Sequence, residues 1–287
     1  MFDLLPIEAF NPELASERFR PSQETVAWAH DVVMALYGSL LRHVPDTDEL
    51  IGPEQLRDIF EAIIHEEFGE AADGWRAVLK DAKAISVGAS SKSIIIPIDR
   101  QSMSTQEVRR LISHEIGIHM MTAITGESTD VPPLSRGLAG YYDTQEGLGK
   151  VAEQALEGEF KEAGVDHYIT AGLAYFDDKD FRGAFEAKWR MRLLEDLEPG
   201  ALPTPEQIES ARKIAADGPL IATTRIFRGT NDLPLFKDLS YYNGSVEVWK
   251  YLEKIRGDDL QLSLLLAGKI STSKGHQRVI LESRTVE

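Results

Sequence analysis

Apolar positions in the first quarter of the chain recur at helical spacing. Val26, Trp28, Ala29, Val32, Val33, Leu36, Tyr37 and Leu40 mark one face of a helix over Ser22–Leu41. Similar patterns predict helices over Pro53–Phe68 and Ala72–Lys80, while residues 1–20, with Pro6 and Pro12 and no clear period, read as an extended lead-in. The pattern then shortens. Ala84-Ile85-Ser86-Val87 and Ser93-Ile94-Ile95-Ile96-Pro97-Ile98 are β-branched runs separated by Gly88, Ala89, Ser90 and Ser91, which predicts a hairpin over about 84–98. Pro97 cannot donate to a ladder, so the second strand is expected to lie at a sheet edge or to end there. At an edge, strand 93–98 would be open to strand addition by an extended peptide.

Helical spacing returns over about 105–125. Ser104 and Glu107 fit a capping box, Val108, Leu111, Ile112, Ile116, Met120, Ala123 and Ile124 supply an apolar face, and Gly126 reads as the stop. After a loop with Pro132 and Pro133, a helix is expected from about Asp143 to Leu156. From Tyr168 onward the pattern is mostly helical, interrupted over 225–244. The fold class this implies is α+β and predominantly α-helical. Residues 1–80 read as a helical subdomain and 81–287 as a catalytic domain, with one continuous domain as the alternative.

Composition narrows the chemistry. None of the 287 residues is cysteine, which removes thiolate metal sites, thiol nucleophiles and redox pairs. A metal site here must use His, Asp and Glu. The formal charge of −16 argues against nucleic acid as a partner, since phosphate binding needs a basic footprint. The N-terminus lacks the basic start and apolar run of a signal peptide, and no stretch has the length of a membrane span, so the expected compartment is the cytoplasm and no membrane partner is expected.

The strongest chemical signal is His114-Glu115-Ile116-Gly117-Ile118-His119. In the usual zinc helix, His-Glu-x-x-His, the histidines are four apart and share a face. Here they are five apart, which on a regular helix turns the rings roughly 140° away from each other. A π-bulge, with its i→i+5 turn, absorbs the extra residue and realigns them. Gly117 sits between them, where a backbone distortion costs least. A third ligand is expected from Glu146, near the start of the next helix. Glu153, seven residues on and on a similar face, is either its partner or the ligand itself. Glu146 can also be read as one half of a capping box with Asp143. Gly147 and Gly149 favour a close approach by another backbone.

At these residues the chain resembles the bacterial "QEGLA-motif" proteins, relatives of the microtubule-associated tyrosine carboxypeptidases. The residues that carry the resemblance are His114 to His119, Gly137-Leu138-Ala139-Gly140-Tyr141, Thr144-Gln145-Glu146-Gly147-Leu148-Gly149, Arg225 to Gly229 and Lys237 to Gly244, within a match from about Lys92 to the end. Ile118 replaces the threonine usual before the second histidine, and Gly149 the alanine that closes the motif. The resemblance implies a zincin-like, gluzincin-type peptidase with the same histidine spacing as dipeptidyl peptidase III. His114, His119 and Glu146 would bind Zn2+, and Glu115 would be the general base.

Such chemistry needs further groups. Tyr241 and Tyr242 are candidate donors to an oxyanion. Arg225 and Arg228 are candidates to hold a substrate's terminal carboxylate, with Lys237 and Lys269 behind them. The other histidines, His30, His43, His65, His167 and His276, stand apart from comparable motifs. The function expected is a zinc-dependent carboxypeptidase acting on a peptide or protein C-terminus. A zinc amidohydrolase of small amino-acid or γ-glutamyl conjugates and a non-catalytic zinc-stabilised binding protein are the alternatives.

Overall fold

A computed structural model describes residues 19–195, 197, 200–215, 218–276, 278 and 280. The lead-in expected over the first twenty residues lies almost wholly outside them. The chain divides into two compact units, one of Phe19–Lys161 with Gly244–Glu287 and the other of Glu162–Asn243 with Met1–Arg18. Residues 19–80 thus belong to the same unit as the helix that carries His114 and His119. The protein is predominantly helical with one small mixed sheet, an α+β fold.

In the first unit, α1 (Gln23–Leu41) starts where the Ser22 hydroxyl accepts the Thr25 N–H, and it buries Val26, Ala29, Val33, Tyr37, Leu40 and Leu41. Helix α2 (Pro53–Ile63) has proline in its first turn, where a missing N–H costs nothing, and passes into a π turn over Ile64–Phe68. The helix expected over 72–80 is not there. A short 3-10 turn over Gly69–Ala72 is followed by Gly74, whose left-handed φ ends helical structure, and β1 (Arg76–Lys80) follows. Trp75 and Ala77 are buried while Arg76 between them is exposed, which is a strand's period of two.

The predicted hairpin forms from β2 (Ser86–Gly88) and β3 (Ser93–Pro97), paired antiparallel, and β1 adds to β3 in parallel with Lys80 opposite Pro97. The order β1-β3-β2 makes β3 the central strand. Pro97 ends the strand but does not put it at an edge, and the expected strand addition finds no open edge over Ser93–Ile95, where both sides of β3 are paired. Burial explains the placement. Ile94 and Ile96 are wholly buried, and a strand covered by neighbours on both sides reads as a continuous apolar run.

The site helix runs unbroken through three segments: α3 (Thr105–Leu111), a π-helical stretch (Ile112–Met120) and α4 (Met121–Glu127). Its capping box forms as the sequence predicts, with the Ser104 hydroxyl accepting the Glu107 N–H and Glu107 accepting the Ser104 N–H at 2.8 Å. Gly126 is not the stop; the helix continues to Glu127, and Gly126 lets the backbone of Leu134 and Ser135 approach closely. After α5 (Pro133–Arg136), α6 (Tyr141–Glu157) packs along the π stretch and against α1. The part of α11 (Ser240–Ile255) from Gly244 on and α12 (Asp259–Leu265) complete this unit, whose single core includes Phe60, Ile112, Ile116 and Trp249.

The second unit contains α7 (Val165–Phe176), α8 (Phe181–Glu195), α9 (Pro205–Ile214) and α10 (Gly218–Phe227). Ala171, Ala184, Ile226, Phe227 and Leu239 form one apolar cluster within it, and Trp189, Leu193, Ala211 and Ala215 another. The interruption expected over 225–244 is shorter than the sequence suggests, because helix resumes at Ser240. Among the described residues no helix is long and apolar enough to cross a membrane.

Candidate metal centre

The π stretch brings the two histidines together. Their Nε2 atoms lie 3.1 Å apart and the rings meet edge to face with centroids 4.8 Å apart. Glu146, from the first turns of α6, places Oε2 3.8 Å from His114 Nε2. One ligand atom from each of His114, His119 and Glu146 falls within 4.8 Å of the others.

The far nitrogen of each ring is held from behind. His114 Nδ1–H donates to Glu153 Oε1 at 2.6 Å, and Lys150 in turn donates to that carboxylate at 2.9 Å. His119 Nδ1 faces Gln145 Oε1 at a long 3.5 Å, and the Thr122 hydroxyl lies 3.0 Å from the same oxygen. Both outer nitrogens therefore carry the hydrogen, and both Nε2 lone pairs point at one spot. Two imidazole nitrogens and a carboxylate oxygen brought this close form a donor set that a cation would satisfy. Two imidazoles on a tetrahedral zinc hold their nitrogens roughly 3.3 Å apart, so the two rings match in spacing and the three donors match in type.

The titration of these groups follows the same demand for positive charge. Burial opposes charge on His114, but the carboxylate of Glu146 close by and the hydrogen bond with Glu153 prevail and lift its pKa to about 10. Burial and the charge on His114 push His119 down to about 3. Burial works against Glu146 as an anion, yet the nearby His114 and His119 hold it down to about 2. A proton on His114 thus satisfies the place that a cation otherwise would.

Glu115 lies beside this cluster, on the same turn as His114. Among the described residues its carboxylate makes no hydrogen bond or ion pair. Burial raises its pKa, as does the nearby Glu146, against the pull of His114.

Glycines set the spacing around the rings. A β-carbon on Gly149 would sit 2.5 Å from Cε1 and Nε2 of His114, so the ring occupies the space a side chain would take. Gly117 has no left-handed φ; its role is spatial, since a β-carbon there would come within 3.1 Å of the buried Tyr37 ring. Gly147 does meet another backbone closely, that of Gly244. Asp143 is not a cap, because α6 starts at Tyr141, two residues earlier.

A family model of the microtubule-associated tyrosine carboxypeptidases matches residues 19–161 and 210–282. The chain belongs to the microtubule-associated tyrosine carboxypeptidase family. The matched stretches hold every residue of the cluster, from His114 to Glu153, so the donors lie inside the part that this carboxypeptidase family shares. A comparison with the curated proteins finds no match.

Of the remaining expected site residues, Lys269 lies in the same unit as the cluster, while Arg225, Arg228, Lys237, Tyr241 and Tyr242 lie in the other. Asp238, 2% exposed, accepts from Arg225 Nε at 2.9 Å, Arg225 Nη2 at 3.2 Å and Arg228 Nη2 at 3.1 Å. Arg225 Nη2 also donates to the Tyr241 hydroxyl at 3.2 Å, and the Tyr242 ring packs on Tyr168 with centroids 4.7 Å apart. The guanidinium forks are thus engaged by a buried carboxylate. Among the stray histidines, His43 pairs with Glu67 at 2.9 Å, and His276 is half-buried, accepting the Ser271 N–H at 3.1 Å. Sequence reasoning missed Gln145, Thr122 and Lys150. Only Lys150 left a signal there, three residues before Glu153 on one helix face.

Proposed function

We propose that the protein is a zinc-dependent carboxypeptidase of zincin-like architecture, with His114, His119 and Glu146 as ligands and Glu115 as general base. The observation that carries the reading is the pairing of a three-donor cradle with the Glu115 carboxylate, which among the described residues makes no hydrogen bond or ion pair. A structural zinc site closes its fourth position and has no use for such a group beside it. Family membership supports the carboxypeptidase class.

When bound, zinc acidifies water toward neutrality and polarises the scissile carbonyl. Glu115 takes the water's proton on a carboxylate oxygen as attack begins. Burial, which raises its pKa, brings it closer to the working range of a base at neutral pH. The same oxygen then delivers the proton to the departing amine, so Glu115 ends the cycle as it began. Glu153 and Gln145 keep the two rings oriented throughout. Tyr241 and Tyr242 as oxyanion donors remain part of the proposal; Arg225 and Arg228, whose guanidinium groups Asp238 engages, do not.

The test is Glu115→Gln, assayed by mass spectrometry on a peptide library with free C-termini. The expected result is one residue lost from the C-terminus with wild type, no loss with the variant, and equal zinc in both. Equal turnover by the two would overturn the base role. Zinc without cleavage of any peptide by wild type would overturn the peptidase reading.

A further inference from the structure

Lys269 is 7% exposed, and among the described residues its ammonium makes no hydrogen bond or ion pair. The stem is largely buried while the ammonium still reaches solvent, and with no partner among the described residues it is left available to an anion. Its position is fixed from both sides. The Lys269 N–H donates to the Leu134 carbonyl at 2.7 Å, and the Leu138 N–H donates to the Lys269 carbonyl at 2.9 Å. Gly268 tightens the same contact, since a β-carbon there would sit 2.8 Å from Leu134 Cβ. Backbone pairing with the α5 turn therefore sets where the side chain can go.

Its ammonium lies within electrostatic reach of the metal cradle. The charges felt at Lys269 are those of Glu146 and Glu115, and His119 feels Lys269 in return. With neutral imidazoles, and with Lys150 cancelling Glu153, the centre holds two carboxylates and one ammonium. A divalent ion would leave one positive charge over, which a single carboxylate ligand balances. The two arginines are not free for that task, because Asp238 already engages both.

We propose that Lys269 is the cation that receives the substrate's terminal carboxylate beside the metal, and so confines cleavage to the last peptide bond. The assignment rests on the carboxypeptidase reading and names the group that would make it one. Lysine suits the role as a compact point charge at the end of a buried stem.

The experiment uses zinc-loaded Glu115→Gln protein, in which binding is read without turnover. Fluorescein-labelled peptides randomised at the last three positions are titrated in two forms, free acid and C-terminal amide. The expected result is at least tenfold tighter binding of the acid. Adding Lys269→Met should bring the acid down to the amide's level and leave the amide unchanged, with the same zinc content and melting temperature, and Lys269→Arg should restore part of the preference. An acid preference that survives Lys269→Met, or equal weakening of acid and amide, would overturn the proposal. If wild type cleaves no peptide while a Lys269-dependent acid preference is found, the peptidase reading fails and the carboxylate site stands. If peptides are cleaved with no such preference, Lys269 alone is refuted.

Discussion

Gly147 and Gly244 cross backbone to backbone, so closely that a β-carbon on Gly147 would lie 2.8 Å from the Gly244 Cα and closer still to its carbonyl. The approach is as tight from the other side, since a β-carbon on Gly244 would overlap the Asp143 carbonyl. The crossing holds the turn of α6 from which Glu146 projects.

Gly147→Ala should therefore cost stability. Overpacking a tight site costs about 1–3 kcal/mol, and the upper end is expected where the obstacle is backbone. Urea unfolding of wild type and variant measures this. Gly149→Ala should have the opposite signature. Its obstacle is the His114 ring, a side chain that can shift. Stability should change by less than about 1 kcal/mol, while zinc affinity falls about tenfold because the ring's bond to Glu153 is disturbed. Chelator competition checks the second number.

Glu153→Gln tests the support behind His114. The carboxylate fixes the ring's tautomer through a 2.6 Å hydrogen bond, and a group in this position is worth about 10–100-fold in metal affinity. The loss should appear in competition with a chromophoric chelator, with an unchanged circular dichroism spectrum. An affinity equal to wild type would remove Glu153 from the centre.

In the second unit, Asp238→Ala should destabilise. Removing the carboxylate from a buried ion pair costs about 3–5 kcal/mol, but Arg225 and Arg228 stay 41% exposed and water can take them up, so about 2 kcal/mol is expected. Chemical denaturation followed by tryptophan fluorescence, with Trp189 in the same unit, reports it. A neutral result would mean that the pair contributes nothing to folding.

What the sequence made legible follows its local chemistry. Five-residue spacing is incompatible with two rings on one face of an α-helix, so the π turn could be inferred from spacing alone, and it spans Ile112–Met120. The capping box at Ser104 was readable for the same reason, since both partners lie within one turn. Strand β1 was not readable. Ala72, Trp75 and Leu79 mimic a helical face, and the left-handed φ of Gly74 that breaks it has no signature in an apolar pattern. Gly117 was legible as a special position but not for its reason, because Tyr37 lies eighty residues earlier in the chain. Gln145 behind His119 and the isolation of Lys269 depend on which chain segments meet, and a single sequence carries no local trace of that.

The most direct test of the account is zinc content per purified chain across a small set of variants. Wild type and Glu115→Gln should each retain one zinc, and His114→Ala, His119→Ala and Glu146→Ala should each retain almost none while still folding. Wild-type zinc levels in His119→Ala or Glu146→Ala would show that the converging rings and carboxylate are not what holds the metal.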